Sequence, residues 1–215
     1  MTSSPDGETR GRRPVAVPVA ALVMAAGLGI TAAFGGLGEH PEEPPKQLGP
    51  GSNLDQGEFM TTFVESRTAL QTDRYGGATK HFLEVVLKVT NKGDETTVVG
   101  APTQGKTPGF SFAKSLLKMT PEIKSESGPT VTVPDEGVPS RQLQPGMTST
   151  VVLRYQLAPG QRPPKKVQFD VGTFELSEGF ALAPDWNLVR DGDGTDAPPK
   201  VVAQVTLPVK QGGAL

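Results

Sequence analysis

Apolar and polar residues alternate with period two in several separate stretches of this chain. That pattern demands sheets with one dry face and one wet face. From His81 to Asn91, Leu83, Val85, Leu87 and Val89 alternate with Glu84, Val86, Lys88 and Thr90. The period returns in Val151, Leu153, Tyr155 and Leu157, in Val167, Phe169 and Val171, and in Val201, Ala203, Val205 and Leu207. Between these runs stand turn formers, among them Asn91-Lys92-Gly93-Asp94, Pro145-Gly146, Pro159-Gly160, Arg162-Pro163-Pro164 and Asp191-Gly192-Asp193-Gly194. Proline presets φ and glycine tolerates positive φ, so each marks a reversal. Phe59 and Phe63 are expected to open the first strand. Phe112, Leu116 and Met119 fall on one helical face, which makes 112–119 an ambiguous helix.

Short strands, frequent turns and no helical crossovers predict a mainly β fold, an antiparallel two-sheet sandwich of immunoglobulin-like architecture. With 215 residues, of which roughly 150 remain after an N-terminal head, anchor and stalk, one domain is expected. The chain has no cysteine, which excludes disulfides, thiolate metal sites, a cysteine nucleophile and lipid attachment through cysteine. A net charge of -2 offers no broad basic surface for phosphates, so nucleic acid is not an expected partner.

An uncharged apolar run fills residues 15–37. It lies between Arg10, Arg12 and Arg13 on one side and Glu39, Glu42 and Glu43 among prolines on the other. As a helix its roughly 23 residues reach about 34 Å, enough to cross a hydrocarbon core of about 30 Å. Arginines before the run and carboxylates after it predict a cytoplasmic head at 1–14 and an extracytoplasmic remainder, a single-pass cell-membrane topology. Residues 38–56, crowded with Gly, Pro and Glu, are expected to be a disordered, hydrated stalk. The sandwich then occupies 57–210, with a tail at 211–215. A competing expectation is signal cleavage near Ala33, where Thr31-Ala32-Ala33 offers the small residues a signal peptidase uses, giving a secreted protein. Within the span Ala21, Ala25, Gly29 and Ala33 recur every four residues, a stripe through which two helices could pair as a weak homodimer.

Several motifs invite chemistry. Gly100, Gly105, Lys106 and Thr107 fit the phosphate-loop pattern G-x-x-x-x-G-K-T, in which backbone N–H groups wrap phosphates, the lysine pairs with them and the threonine holds Mg²⁺. Pro108-Gly109 follows where the required helix should begin, no βαβ pattern surrounds it, and the topology puts it outside the cell. A surface loop is the expected reading, and a nucleotide-binding protein the alternative. Ser111-Phe112-Ala113-Lys114 and Ser115-Leu116-Leu117-Lys118 both fit S-x-x-K, yet the S-D-N and later K-T-G of penicillin-binding chemistry are missing. Asp191, Asp193 and Asp196 cluster carboxylates as Ca²⁺ would want, but without the glycine and glutamate of an EF-hand, so a structural turn is expected.

His40 and His81 are the histidines, too few for a metal cluster, and His40 falls in the expected stalk. Trp186 is expected to pack at an end of the sandwich, and Arg162, Lys165 and Lys166 form a basic turn that could touch an anionic envelope polymer. No catalytic constellation and no cofactor is expected. The expected activity is binding by an extracytoplasmic module, with an envelope protein or polymer as partner.

The stretch Val-Leu-Lys-Val-Thr-Asn at 86–91 is followed by Leu-Gln-Pro-Gly at 143–146, the alternating strand at 150–157, and Val-Val-Ala-Gln-Val-Thr-Leu at 201–207. Together these resemble the immunoglobulin-like extracellular domains of actinobacterial secreted antigens and lipoproteins. The resemblance spans roughly 57–209 and implies a sandwich of unassigned function with no catalytic residues. The chain departs from lipoprotein members in having no cysteine to lipidate.

Overall fold

The computed structural model describes residues 43–72, 79–123, 128–134, 139–177, 184–192, 194 and 196–212. The expected head, span and small-residue stripe lie outside them, as does Ala33. Among the described residues no helix is long and apolar enough to cross a membrane. Residues 44–215 form a compact unit of their own.

That unit is mainly β. Its strands are β1 (Lys46–Leu48), β2 (Asn53–Asp55), β3 (Phe59–Gln71), β4 (Lys80–Asn91), β5 (Thr97–Val98), β6 (Leu116–Thr120), β7 (Thr130–Thr132), β8 (Gln142–Leu143), β9 (Thr148–Gln156), β10 (Lys166–Val171), β11 (Phe174–Ser177), β12 (Asp185–Leu188) and β13 (Ala203–Lys210). Nine of them follow one hydrogen-bonded path, β6-β10-β13-β3-β4-β9-β7, with β1 added to β13 and β2 to β3.

The path doubles into two layers because β13 serves both. Its residues 203–208 pair antiparallel with β10, and then Val209 and Lys210 run parallel beside Ser66 and Arg67 of β3. One layer is therefore β6, β10, β13 and β1, and the other β2, β3, β4, β9 and β7. Val167, Phe169 and Val171 of the first and Phe63, Leu83, Val85, Leu87, Val151 and Leu153 of the second all belong to one buried cluster. This is the sandwich that the alternation predicts. Two parallel pairings, β1 with β13 and β13 with β3, qualify the antiparallel expectation. Phe59 anchors the core, meeting Phe112 and Phe174 edge-on at centroid distances of 5.2 and 5.4 Å. Such edge-to-face pairs add to what area burial alone contributes.

Three sequence expectations need correction. The domain does not start at residue 57: β1 and β2 fall inside the expected stalk, with Leu54 and Gln56 buried. The Gln56 side chain spans the layers, its Nε2 donating to the Gly172 carbonyl at 2.8 Å while its Oε1 accepts from Thr61 Oγ1 at 2.6 Å. Strands of three residues carry too little alternation to stand out against the Gly and Pro around them. For the same reason Phe59 and Phe63 open the third strand rather than the first. Finally, 112–119 is not a helix but a 3-10 turn, Phe112–Ser115, running directly into β6. Burial of Phe112, Ala113 and Ser115 around that single turn imitates a helical face.

Cross-strand register aligns three charged residues on neighbouring strands. A bulge at Val64 between Phe63 and Glu65 shifts the β3–β4 pairing. Beyond it Arg67 stands opposite Glu84, and Glu84 in turn stands opposite Arg154 of β9. All three project from the layer's outer face, since Leu83, Val85, Leu87 and Leu153 fill the inner one.

Candidate functional site

The glycines of the phosphate-loop pattern have a structural cause. Gly100 holds φ +72, and a Cβ there would run into the carbonyl of Phe110, because Ala101 and Phe110 bridge the two arms of an irregular hairpin. Gly105 holds φ +54 at the open tip. Between them the Gln104 and Thr107 backbones bond reciprocally, at 3.0 and 2.9 Å, so two amides a phosphate would need are already engaged. No helix starts at Lys106 or Thr107, and both are exposed. The loop is a hairpin tip, and the nucleotide reading loses its geometric basis.

The two S-x-x-K matches are likewise absorbed by structure. Ser115 is fully buried and its hydroxyl donates to the Phe112 carbonyl at 2.9 Å. Lys118 stands exposed on β6. Ser111 takes φ 51, ψ -147 on the way into the 3-10 turn, a backbone state that non-glycine residues rarely hold. Lys114, on that turn, lies 5.1 Å from the centre of the Phe174 ring.

The loops meet in space although they are far apart in sequence. Thr103, Pro108 and Gly109 share a cleft of about 800 Å³ with Arg190, Gly192 and Gly194, and Lys114, Glu175 and Asn187 also line it. Arg190 steadies its own loop, its Nη1 donating to the Ala197 carbonyl at 2.7 Å. Asp191 and Asp196 are exposed here, while Asp193 lies outside the described residues. Among the described residues no group of three or more metal-ligating side chains assembles. Ser177, on the wall, accepts from Asn187 Nδ2 at 2.7 Å.

Beside the cleft the electrostatics are uneven. Glu58 is half buried, and desolvation pushes its carboxyl up to about 7, with Lys114 opposing the shift and Asp185 adding to it. Trp186 packs against the core with its ring beside Gly57 and Gly93, as expected for a packing residue. His81 is exposed on β4, and its carbonyl accepts from Leu157 N at 2.9 Å. Arg162, Lys165 and Lys166 are exposed at their turn.

A charged ladder on the outer face was not legible from sequence. Alternation puts Glu84 in water, yet its side chain is 1% exposed. Arg67 Nε donates to Oε2 at 3.0 Å, and Arg154 donates to Oε1 through Nε at 2.9 Å and Nη2 at 2.6 Å. The ladder continues through Glu65, which accepts from Arg67 and from Lys210, both bonds holding its carboxyl below the usual range. Glu65 and Arg67 are neighbours on one face of β3, but only cross-strand register adds Glu84, Arg154 and Lys210 to them.

No protein-family model matches the chain, and no curated protein matches it. Among solved structures it is similar to an uncharacterized β-sandwich protein from Clostridium difficile 630, at 11% identity and a TM-score of 0.39, over 79% of this chain and 97% of that one. It is also similar to a protein of Staphylococcus aureus subsp. aureus NCTC 8325 provisionally designated a lipoprotein, at 11% identity and a TM-score of 0.32, over 75% of this chain and 97% of that one. At these scores the likeness bears on neither family nor function.

Proposed function

We propose that this chain is a membrane-tethered cell-envelope protein whose immunoglobulin-like sandwich recognises a partner through the loops beside the cleft at Lys114 and Arg190. The observation that carries the reading is that cleft: beside hairpin 101–110, the 3-10 turn, β11, β12 and the loop after β12 bring Lys114, Glu175, Asn187 and Arg190 to one concavity. Loops on a rigid scaffold are where recognition concentrates. Two hydroxyl oxygens help to fix the cleft's shape, Thr103 Oγ1 accepting from Gly109 N at 3.0 Å within the hairpin and Ser177 Oγ accepting from Asn187 Nδ2 across β11 and β12. The charge order of residues 10–43 supplies the address, with the arginines inside and the domain outside.

Two measurements test it. Protease added to intact cells should remove the domain while a short membrane-bound fragment remains. A protected domain would reverse the topology, and intact domain in the medium would mean the apolar run is cleaved. Binding of the protein to isolated envelope should fall in Lys114→Glu and Glu175→Lys. Unchanged binding in both would remove the cleft from the reading, and turnover of an envelope substrate would replace binding with catalysis.

A further inference from the structure

The two ends of the strand path, β6 and β7, leave the sandwich open along one side. β7 is only three residues long and pairs with β9 at Val152, Leu153 and Arg154, so Tyr155, the next inward-facing residue after Leu153, has no β7 residue opposite it. Its ring enters the core with the residue 6% exposed, and its hydroxyl makes no hydrogen bond to any described residue. Among the described residues no buried side-chain oxygen or nitrogen is left sealed without a partner, so the hydroxyl is not enclosed. Tyr155 lines a cavity of about 250 Å³ with Phe169 of β10, Leu117 and Met119 of β6, Ile123 and Pro129, and Lys118, Glu122 and hairpin residues 102–105 also line it. Burial drives the phenol's pKa upward, so it stays protonated and is a donor at physiological pH.

We propose that this mouth binds a small apolar molecule carrying one carbonyl-type acceptor, its hydrocarbon body against Leu117, Met119, Ile123 and Phe169 and its acceptor on the Tyr155 hydroxyl. A phenylalanine at 155 would fill the same inward position without placing a polar atom there. The size selects the class, since an apolar cavity of roughly 150 Å³ holds one benzene. A substituted ring or a short chain fits; a two-chain lipid does not. The mouth adjoins the loop cleft, with Thr103 lining both, but Tyr155 and Leu117 line only the mouth and Lys114 and Glu175 only the cleft, so the two sets of variants test the two sites independently.

Octanamide is the probe, titrated into the full chain held in lipid nanodiscs and observed through isoleucine and methionine methyl resonances. The chain has isoleucine only at 30 and 123, so Ile123 is a resolved reporter. The expected result is a saturable shift at Ile123 and Met119. Tyr155→Phe should weaken binding roughly threefold to tenfold, the worth of one hydrogen bond, without losing the fold. Leu117→Phe, which fills the space instead of removing the donor, should abolish it. An unshifted Ile123 up to the solubility limit, or equal affinity in Tyr155→Phe, overturns the proposal.

Discussion

Replacing Glu84 with alanine should be among the costliest single changes on the outer face of this domain. The carboxylate makes three charge-assisted bonds, to Arg67 Nε and to Arg154 Nε and Nη2. At about 1.5–3 kcal/mol each, their simple sum overstates the loss. Arg67 and Arg154 are 40% and 31% exposed, so water takes over part of their solvation once the carboxylate is gone. What remains is two guanidinium groups facing each other across β4 and a gap where a 1%-exposed side chain stood. We expect a loss of about 2–4 kcal/mol, below the middle of the roughly 3–5 kcal/mol for breaking a fully buried pair because both arginines are partly exposed. The Lys92–Asp55 bridge is the internal control. Its 2.7 Å contact is shorter than the 3.0 Å Arg67–Glu84 one, but its partners are 38% and 56% exposed, so Lys92→Ala should cost less than about 1 kcal/mol. Urea unfolding of both variants, read as a midpoint shift at constant slope, makes the comparison. If Glu84→Ala costs no more than Lys92→Ala, burial does not set the strength of these pairs and the reasoning fails.

Glu58, raised to about 7 in the fold from an ordinary value of 4.5, binds its proton more tightly folded than unfolded. Its contribution is therefore fully present below about pH 4.5 and is lost as pH rises through about 7. Glu58→Gln should flatten that part of a melting-temperature profile taken from pH 5 to 8. A chain begun at Gly57 lacks β1, β2, Leu54 and Gln56 and should unfold without cooperativity, whereas one begun at Pro44 should melt in a single transition; calorimetry distinguishes them. Gly100→Ala, forced to φ +72 against the Phe110 carbonyl, should lose at least about 1 kcal/mol by chemical denaturation. Lys106→Ala should leave Mg²⁺-ATP titrations unchanged, because a hairpin tip binds no nucleotide in either form, and calorimetric heat lost on substitution would restore the phosphate loop.

The long strands were legible because burial on one face writes a period of two into β4, β9, β10 and β13. The Asn91 turn was legible too, and the structure adds its reason: Asn91 Nδ2 donates to the Glu95 and Leu143 carbonyls at 2.8 and 3.0 Å. What stayed hidden needed partners distant in sequence. Gln56 looks like stalk until Gly172 and Thr61 surround it. Glu84 looks solvated until the Val64 bulge sets Arg67 beside it. Tyr155 reads as one more inward residue until β7 proves too short to cover it. The phosphate-loop glycines show the converse, a motif-like spacing produced by the demands of a hairpin.

The double duty of β13 also sets when this domain can form. The strand that closes one layer and joins it to the other is made of residues 203–210, and its parallel neighbour β1 is made of residues 46–48. At about 5–20 residues per second, β1 waits about 8–30 s for its partner to be synthesised. Until then β6 and β10 have no strand that joins their layer to β3, and Val205 and Leu207 are missing from the core. Closure of the two layers therefore comes last, once nearly the whole domain has been made, although its first strand is among the earliest residues to appear.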